Sequence, residues 1–507
     1  DMANADWTGY RSDMENEIAS GKWDYIGQGL EKWYNQIENS LWRCVKSNVT
    51  KVERKIKIGK YNRHLSEETR DMEKEFRKDY AKYLKNDKGN EEIKKTLNKR
   101  SKELARARLK DMASFQENLV NSEAGTKNNI NKHLDAILGS TQKIEKLVEG
   151  KEEVRNAKEI VNLFAETYEG LFEPLEKLTE QEIEDLHKKQ DPATKMEDME
   201  FTEKDVVRAI SSLNRGVASG KDGIFPEMLI EAKNLLARPL AAMFEMFYKM
   251  SFIPEPWRAS IVSPIYKKGS RTDRENYRPV TIVSNFMKVM EKCVSNKLTD
   301  HMDKHSLWSP YQFAFRKKRS VEAQLISKQC FIQNILQKGG RIGELLIDAK
   351  KAYDKLSFRN IARALLKHGV SKRTVDWIMS TLERRSFHVK LNATMSRPVN
   401  PTSGLLQGSS MSCVIFNICI NSVDHVMSEE DREGPNYDNK ALIFIFADDL
   451  SVLCDVTNIA GRRKMQNICN KLYEWSTENS YFIHLGKTCW IDISNDGSES
   501  DLKLEMN

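Results

Sequence analysis

Residues 441–455 read ALIFIFADDLSVLCD, an apolar run with strand character broken at its centre by two adjacent acids, Asp448 and Asp449. Leaving one buried carboxylate without a partner is costly, and two side by side cost more. No basic residue within the run neutralises them. An isolated Asp-Asp pair is most simply a solvated turn, so the stretch gains meaning only from residues elsewhere. Upstream, ELLIDAKKAYDKLSF (344–358) repeats the arrangement: an apolar strand ends in Asp348 and a helix begins. A helix N-cap is the plain alternative for Asp348 alone. Three carboxylates brought together repel one another and call for a cation. Magnesium, hard and oxygen-liganded, is the natural one. Two such ions, roughly 3.5–4 Å apart, support in-line phosphoryl displacement. The residues alone therefore point to a metal-dependent phosphoryl-transfer site. Between the acidic strands lies GLLQGSSMSCVIFN (404–417), where two glycines flank a glutamine ahead of a helix. Glycine lets a backbone approach a ligand closely; a loop ending in a helix cap is the plain alternative.

The chain has 507 residues, enough for at least two units. Charged residues make up 31% of it, and the mean hydropathy is −0.61. A net charge of +7 permits a polyanionic partner without demanding one. Eight cysteines are scattered with no CxxC pair and no histidines completing a zinc pattern, which reads as reduced thiols in an intracellular protein. His301 and His305 lack a third metal ligand nearby. No uninterrupted apolar span is long enough to cross a bilayer, so no membrane partner is expected. With Asp1 first and Asn507 last, the sequence reads as a piece cut from a longer protein.

Residues up to about Lys189 read as helices. Leu30, Trp33, Ile37, Leu41 and Val45 form one stripe at three-to-four spacing; Leu65, Met72, Phe76, Tyr80 and Leu84 form another. Basic residues crowd between Lys51 and Arg63, and again at Lys94, Lys95, Lys99, Arg100, Lys102, Arg106, Arg108 and Lys110. These are either solvated helix faces or a surface for nucleic-acid phosphates. A polar connector (187–200) follows, and Thr202 with Asp205 reads as a capping box. Beyond it, short β-rich runs alternate with helices: ASIVSPIY, GELLIDA, SFHVKLNA, ALIFIFA, SVLCDV and CWIDIS. That is a mixed α/β domain.

Taken in order, these segments resemble the reverse transcriptase of non-LTR (LINE-type) retrotransposons from about Phe201 to Ser494. ASGKDGIFPEML (218–229), WRASIVSPIYKKG and NYRPVTIVSNFMKVMEKCV (within 257–294) and YQFAFRKKRS (311–320) resemble its opening and fingers motifs. LLIDAKKAYDKL, GLLQGSSMS and FADDL resemble polymerase motifs A, B and C, and LYEWSTENSYFIHLGKT (472–488) resembles motif D. Two departures stand out: FAFR at 313–316, where the family more often has glycine before the second phenylalanine, and His484 where it usually has asparagine.

The resemblance implies an α/β (α+β) right-hand polymerase fold with fingers and palm, preceded by a mainly α-helical N-terminal region. The implied limits are 1–189 for the helical linker region, 190–340 for fingers with the start of the palm, 341–496 for the palm, and 497–507 for the start of a primer-grip region. It implies two Mg²⁺ ions, replaceable by Mn²⁺, on Asp348, Asp448, Asp449 and the Ala349 carbonyl. Tyr353 would be the steric gate against a ribose 2′-hydroxyl, although a core aromatic is its plain alternative. Gln407 and Gly408 would line the nucleotide pocket, while Lys267, Lys268 and Arg278 would grip the triphosphate. Lys487 would be a general acid for the leaving pyrophosphate. The implied partners are an RNA template, a DNA primer or target DNA, and dNTPs, in a ribonucleoprotein of the nucleus and cytoplasm. Other readings are a non-catalytic RNA-binding relic, a group II intron maturase-like enzyme and an RNA-templated RNA polymerase.

Overall fold

Strands form where β-branched and aromatic residues alternate or run together. The computed structural model describes residues 2, 5–20, 23, 29–49, 66–86, 91–121, 144–150, 152–428 and 440–495. The first basic cluster, Leu65, the side chain of Leu84 and residues 497–507 lie outside the described residues. The chain divides into two compact units, one of residues 1–51 and 145–507, the other of residues 52–144.

In the larger unit, one antiparallel sheet carries the acidic motifs. Its strands are β5 (Ile342–Ile347), β8 (Ala441–Phe446), β9 (Asp449–Asp455) and β10 (Cys489–Ile493), in the order β10-β5-β9-β8. A second sheet contains β3 (Ala259–Tyr266), β4 (Tyr277–Ile282), β6 (Ser386–Leu391) and β7 (Thr394–Val399), in the order β4-β3-β6-β7 with β3 and β6 parallel. All six expected β-rich runs are strands. Two further strands, β4 and β7, are not among the expected runs, and each contains a proline, Pro279 or Pro398. Each is an edge strand, where a missing N–H is tolerated.

The N-terminal region holds helices α1 (Trp7–Ala19) and α2 (Leu30–Asn48), then a short hairpin of β1 (Leu147–Glu149) and β2 (Glu152–Val154). That hairpin departs from the all-helical expectation; Gly150, at φ +61°, supplies its turn. The α2 stripe is buried as its periodicity predicts. Tyr34 packs edge-on against Trp257 and Phe286, at 5.6 and 5.8 Å, and the Tyr10 hydroxyl donates to the Met228 carbonyl at 2.9 Å. These contacts join α1 and α2 to the same core as the sheets. The capping box of Thr202 and Asp205 is present in both directions, with Val206 and Ile210 buried below it. Among the described residues, no helix is long and apolar enough to cross a membrane.

The smaller unit pairs α3 (Glu67–Asn86) with α4 (Glu91–Asn121). Leu97 and Leu104 of α4 are buried, and so is Glu73 of α3. Ion pairs Arg108–Glu73, at 3.0 Å, and Arg100–Asp79 cross between the two helices.

Candidate active site

The β8–β9 ladder pairs Phe446 with Asp449, leaving Ala447 and Asp448 as a two-residue turn. Hairpin turns of this length need a positive φ at the first turn residue, and Ala447 has φ +54°. The Gln312 side-chain oxygen accepts from the Ala447 N–H at 3.4 Å and from the Ala314 N–H at 2.8 Å, bracing the turn from beside it. Asp449 opens β9. Ile347, the last residue of β5, pairs with Leu450, so Asp348 leaves its strand at the same end of the sheet. The three acids that the sequence reading assembled thus come from neighbouring strands.

Their electrostatics agree. Partial desolvation, then the charges of Asp448 and Asp348, raise the Asp449 carboxyl above its ordinary range. Burial and the same three carboxylates hold the Tyr481 phenol far above its own, and its hydroxyl donates to the Asp448 carbonyl at 2.6 Å. Such a concentration of negative charge suits a divalent cation. Among the described residues, no three His, Cys, Asp or Glu side chains converge tightly enough to form a ready-made ligand set. Like charges do not gather unaided, and Lys487 Nζ engages Asp348 Oδ2 at 3.1 Å.

Residues 481–488 close one side of the site. The His484 N–H donates to the Asp348 carbonyl at 2.7 Å, the Lys350 N–H donates to the Phe482 carbonyl at 2.7 Å, and Ala349 bridges to Ile483. His484 makes this contact through its backbone. The unusual side chain therefore does not prevent Lys487 from reaching Asp348.

Opposite stands a cluster of cations. Burial first, then the charges of Arg278, Lys487 and Lys268, pull the Lys267 amine below the usual lysine range, with Asp348 acting the other way. The β3–β4 ladder sets this up: Ile265 faces Arg278, and the Lys267 N–H donates to the Asn276 carbonyl at 2.8 Å. The three cations expected at the triphosphate thus come together at Lys267, within the field of Lys487 and Asp348.

Tyr353 stacks on Phe416, with centroids 4.4 Å apart and planes at 11°. Burial, followed by the neighbouring Cys413 and Asp448, raises its phenol. Gln407 is differently placed from a free pocket wall. Its Nε2 donates to both oxygens of Asp354, at 3.3 and 3.2 Å, and its carbonyl accepts from the Thr281 N–H at 2.9 Å. The glycines of this loop approach other parts of the chain. Gly404 has φ +79° with its missing Cβ 2.4 Å from the Asp354 carbonyl oxygen; Gly408 has φ +126° with its own 2.4 Å from that of Thr281. A side chain at either position would push the loop off its seat.

Three buried charged residues hold this loop, and sequence reasoning missed all of them. Arg385 donates to the carbonyls of Ser403 and Gly404, at 2.7 and 2.8 Å. Glu291 accepts from the Ser410 N–H at 3.0 Å. Asp354 receives Gln407. Only Asp354, one residue past Tyr353, carried a signal in its position. Burial raises the Glu291 carboxyl from 4.5 to about 7 and that of Asp354 from 3.8 to about 6.

A pH dependence follows. The unfolded Glu291 side chain loses its proton near pH 4.5, but the folded one keeps it to about 7. Raising the pH through that window favours unfolding; the penalty is absent below it and complete above it. At 1.36 kcal/mol per unit the cost is on the order of 3 kcal/mol. Glu291→Gln retains an acceptor for Ser410 and cannot ionise. The expected result is a parent melting temperature that falls between pH 5 and pH 8, and a variant with a shallower fall that is the more stable at pH 8. Superimposable profiles would refute the assignment.

The sequence pattern of the reverse transcriptase (RNA-dependent DNA polymerase) family matches residues 265–496, a span that contains every one of these site residues. The chain carries a reverse transcriptase domain. Its relatives are polymerases of LINE-like, non-LTR transposons. It is 25% identical over 318 residues to a probable RNA-directed DNA polymerase from transposon BS of Drosophila melanogaster, covering 60% of this chain and 33% of that one. It is 23% identical over 260 residues to the RNA-directed DNA polymerase from mobile element jockey of the same fly, covering 50% and 28%. It is 23% identical over 205 residues to the Pol polyprotein of the R2 retrotransposable element of Popillia japonica, covering 40% and 28%. The chain spans about a third of the length of the first two relatives it matches. The match starts at the end of β3 and takes in the whole acidic sheet, strands β4, β6 and β7 of the second sheet, and the cation cluster.

Proposed function

We propose that this reverse transcriptase domain extends a DNA primer on an RNA template, taking dNTPs as substrates. One observation carries the reading. Asp348, Asp448 and Asp449 lie at one end of the acidic sheet, Lys487 engages Asp348 there, and Lys267, grouped with Lys268 and Arg278, lies within the field of Asp348. Anionic triphosphate and cationic metal need opposite charges, and here both are available side by side.

By the limits 190–340 for the fingers and 341–496 for the palm, β3 and β4 belong to the fingers, and the β5–β8–β9–β10 sheet with β6 and β7 to the palm. Residues 1–189 precede them as the linker region, and the fingers begin near residue 190. Asp348, Asp448 and Asp449, with the Ala349 carbonyl, would hold two magnesium ions. When bound, these ions supply Lewis acidity to the primer 3′-hydroxyl and to the phosphates. Arg278, with Lys267 and Lys268, holds the triphosphate, the guanidinium as a fork and the amines as point charges. Lys487 donates a proton to the leaving pyrophosphate. The Tyr353 ring closes the sugar pocket on the 2′ side. Gln407 and Gly408 contribute the loop wall, which Asp354, Arg385 and Glu291 hold in place.

The test is primer extension by the full-length protein on an RNA template with Mg²⁺. Incorporation of dNTPs is expected, with rNTPs refused. No incorporation of either would leave RNA binding as the function, and preferential use of rNTPs would point to RNA synthesis.

A further inference from the structure

The basic residues of α4 are not one undifferentiated charge run. Arg100 and Arg108 turn towards α3, where Asp79 and Glu73 neutralise them. Lys95, Lys99, Lys102, Arg106 and Lys110 are exposed and form no ion pair among the described residues. Their spacings of four, three, four and four place all five on one face. At 100° per residue they fall within an arc of about 80°, centred opposite the buried Leu97 and Leu104. At 1.5 Å per residue the row is about 22 Å long.

Five cations turned away from the buried leucines, with Glu103 the single acid at the edge of their face between Lys95 and Lys110, take no part in packing α3 against α4. Their repulsion is a standing cost for the helix, because like charges at i,i+4 destabilise it. What such a row complements is a linear polyanion with regularly spaced charges. We propose that this face of α4 binds the phosphodiester backbone of single-stranded RNA, as a holding surface separate from the catalytic site. The choice of RNA rests on the reading of the domain as RNA-templated. A flexible single strand can lay successive phosphates along a straight row without the geometric demands of a duplex groove. The binding is sequence-independent, because phosphate contacts position a strand without reading it.

The test uses the full chain and fluorescence anisotropy with an unstructured RNA of about 30 nucleotides and a DNA strand of the same sequence, over a range of salt concentrations. The variant Lys95→Gln, Lys99→Gln, Lys102→Gln, Arg106→Gln removes four cations; glutamine and lysine have similar helix propensity. With about 0.7 counterions released per contact on single strands, the slope of log K against log salt should become shallower by about 3. A second variant, Lys95→Arg, Lys99→Arg, Lys102→Arg, keeps the charge and should keep the parent slope, which separates electrostatics from misfolding. An unchanged slope in the glutamine variant would overturn the proposal. So would a loss seen with DNA and not with RNA, or an equal loss in the arginine variant. Extension of a short pre-annealed RNA–DNA hybrid should not change in the glutamine variant. If the protein does not polymerise at all but the slope still falls, the polymerase reading fails and the RNA surface stands.

Discussion

Primer extension falls by about a thousandfold or more when Asp448 is replaced by asparagine, while RNA binding is retained. The substitution is close to isosteric. Asparagine suits turns as well as aspartate does, so the two-residue hairpin between Phe446 and Asp449 keeps its register. The Tyr481 hydroxyl bonds the backbone carbonyl of residue 448, and that contact does not depend on the side chain. What disappears is one negative charge at the point where the site must hold cations. Removing a single group that stabilises transition-state charge typically costs a hundred- to a thousandfold in rate, and the loss of a metal-holding carboxylate lies at or beyond that end. The substitution also relieves Asp449 of one of the two charges that raise its carboxyl, so that group should titrate closer to its ordinary range. Extension rates together with RNA affinity check the prediction. Activity within tenfold of the parent would mean that Asp448 is not a metal-holding residue.

Tyr353→Ala should admit ribonucleotides. The ring lies flat on Phe416 and next to Asp448, so its position is set by packing. Forcing an extra hydroxyl against a well-packed ring costs about 1–3 kcal/mol, a discrimination of roughly ten- to a hundredfold. With the ring gone, that preference for dNTPs over rNTPs should largely vanish, whereas Tyr353→Phe, which keeps the ring, should preserve it. The readout is the ratio of kcat/KM for the two sugars, which a general loss of stability would not change. Equal sugar selectivity in the parent and the alanine variant would return Tyr353 to the role of a core aromatic.

Much of this was legible without coordinates. ALIFIFADDLSVLCD reads as two strands and an acidic turn because side-chain polarity in a strand is local information. The capping box at Thr202, the α2 stripe and the six strand runs are likewise decided within a dozen residues. The acids at 348, 448 and 449 could be paired from sequence because each interrupts an apolar run at some cost in free energy, and because the ordered motifs around them match a known pattern. The strands β4 and β7 were not foreseen; both lie at the edges of their sheet, and an edge position is a property of the sheet and not of the strand.

By itself, the sequence determined the polymerase motifs, their order and the chemical types at the site. Only the tertiary structure decided which neighbours those residues have. It showed that Lys267 lies in the field of Lys268, Arg278, Lys487 and Asp348, that Gln407 is engaged by Asp354, and that Glu291 and Arg385, far apart in sequence, secure the same loop. It also divided the lysines and arginines of α4 into those neutralised across the hairpin and those left facing outward. The reason is physical: local patterning depends on residues within one or two turns, but burial and electrostatic coupling depend on distances in space that the chain sets only once it has folded.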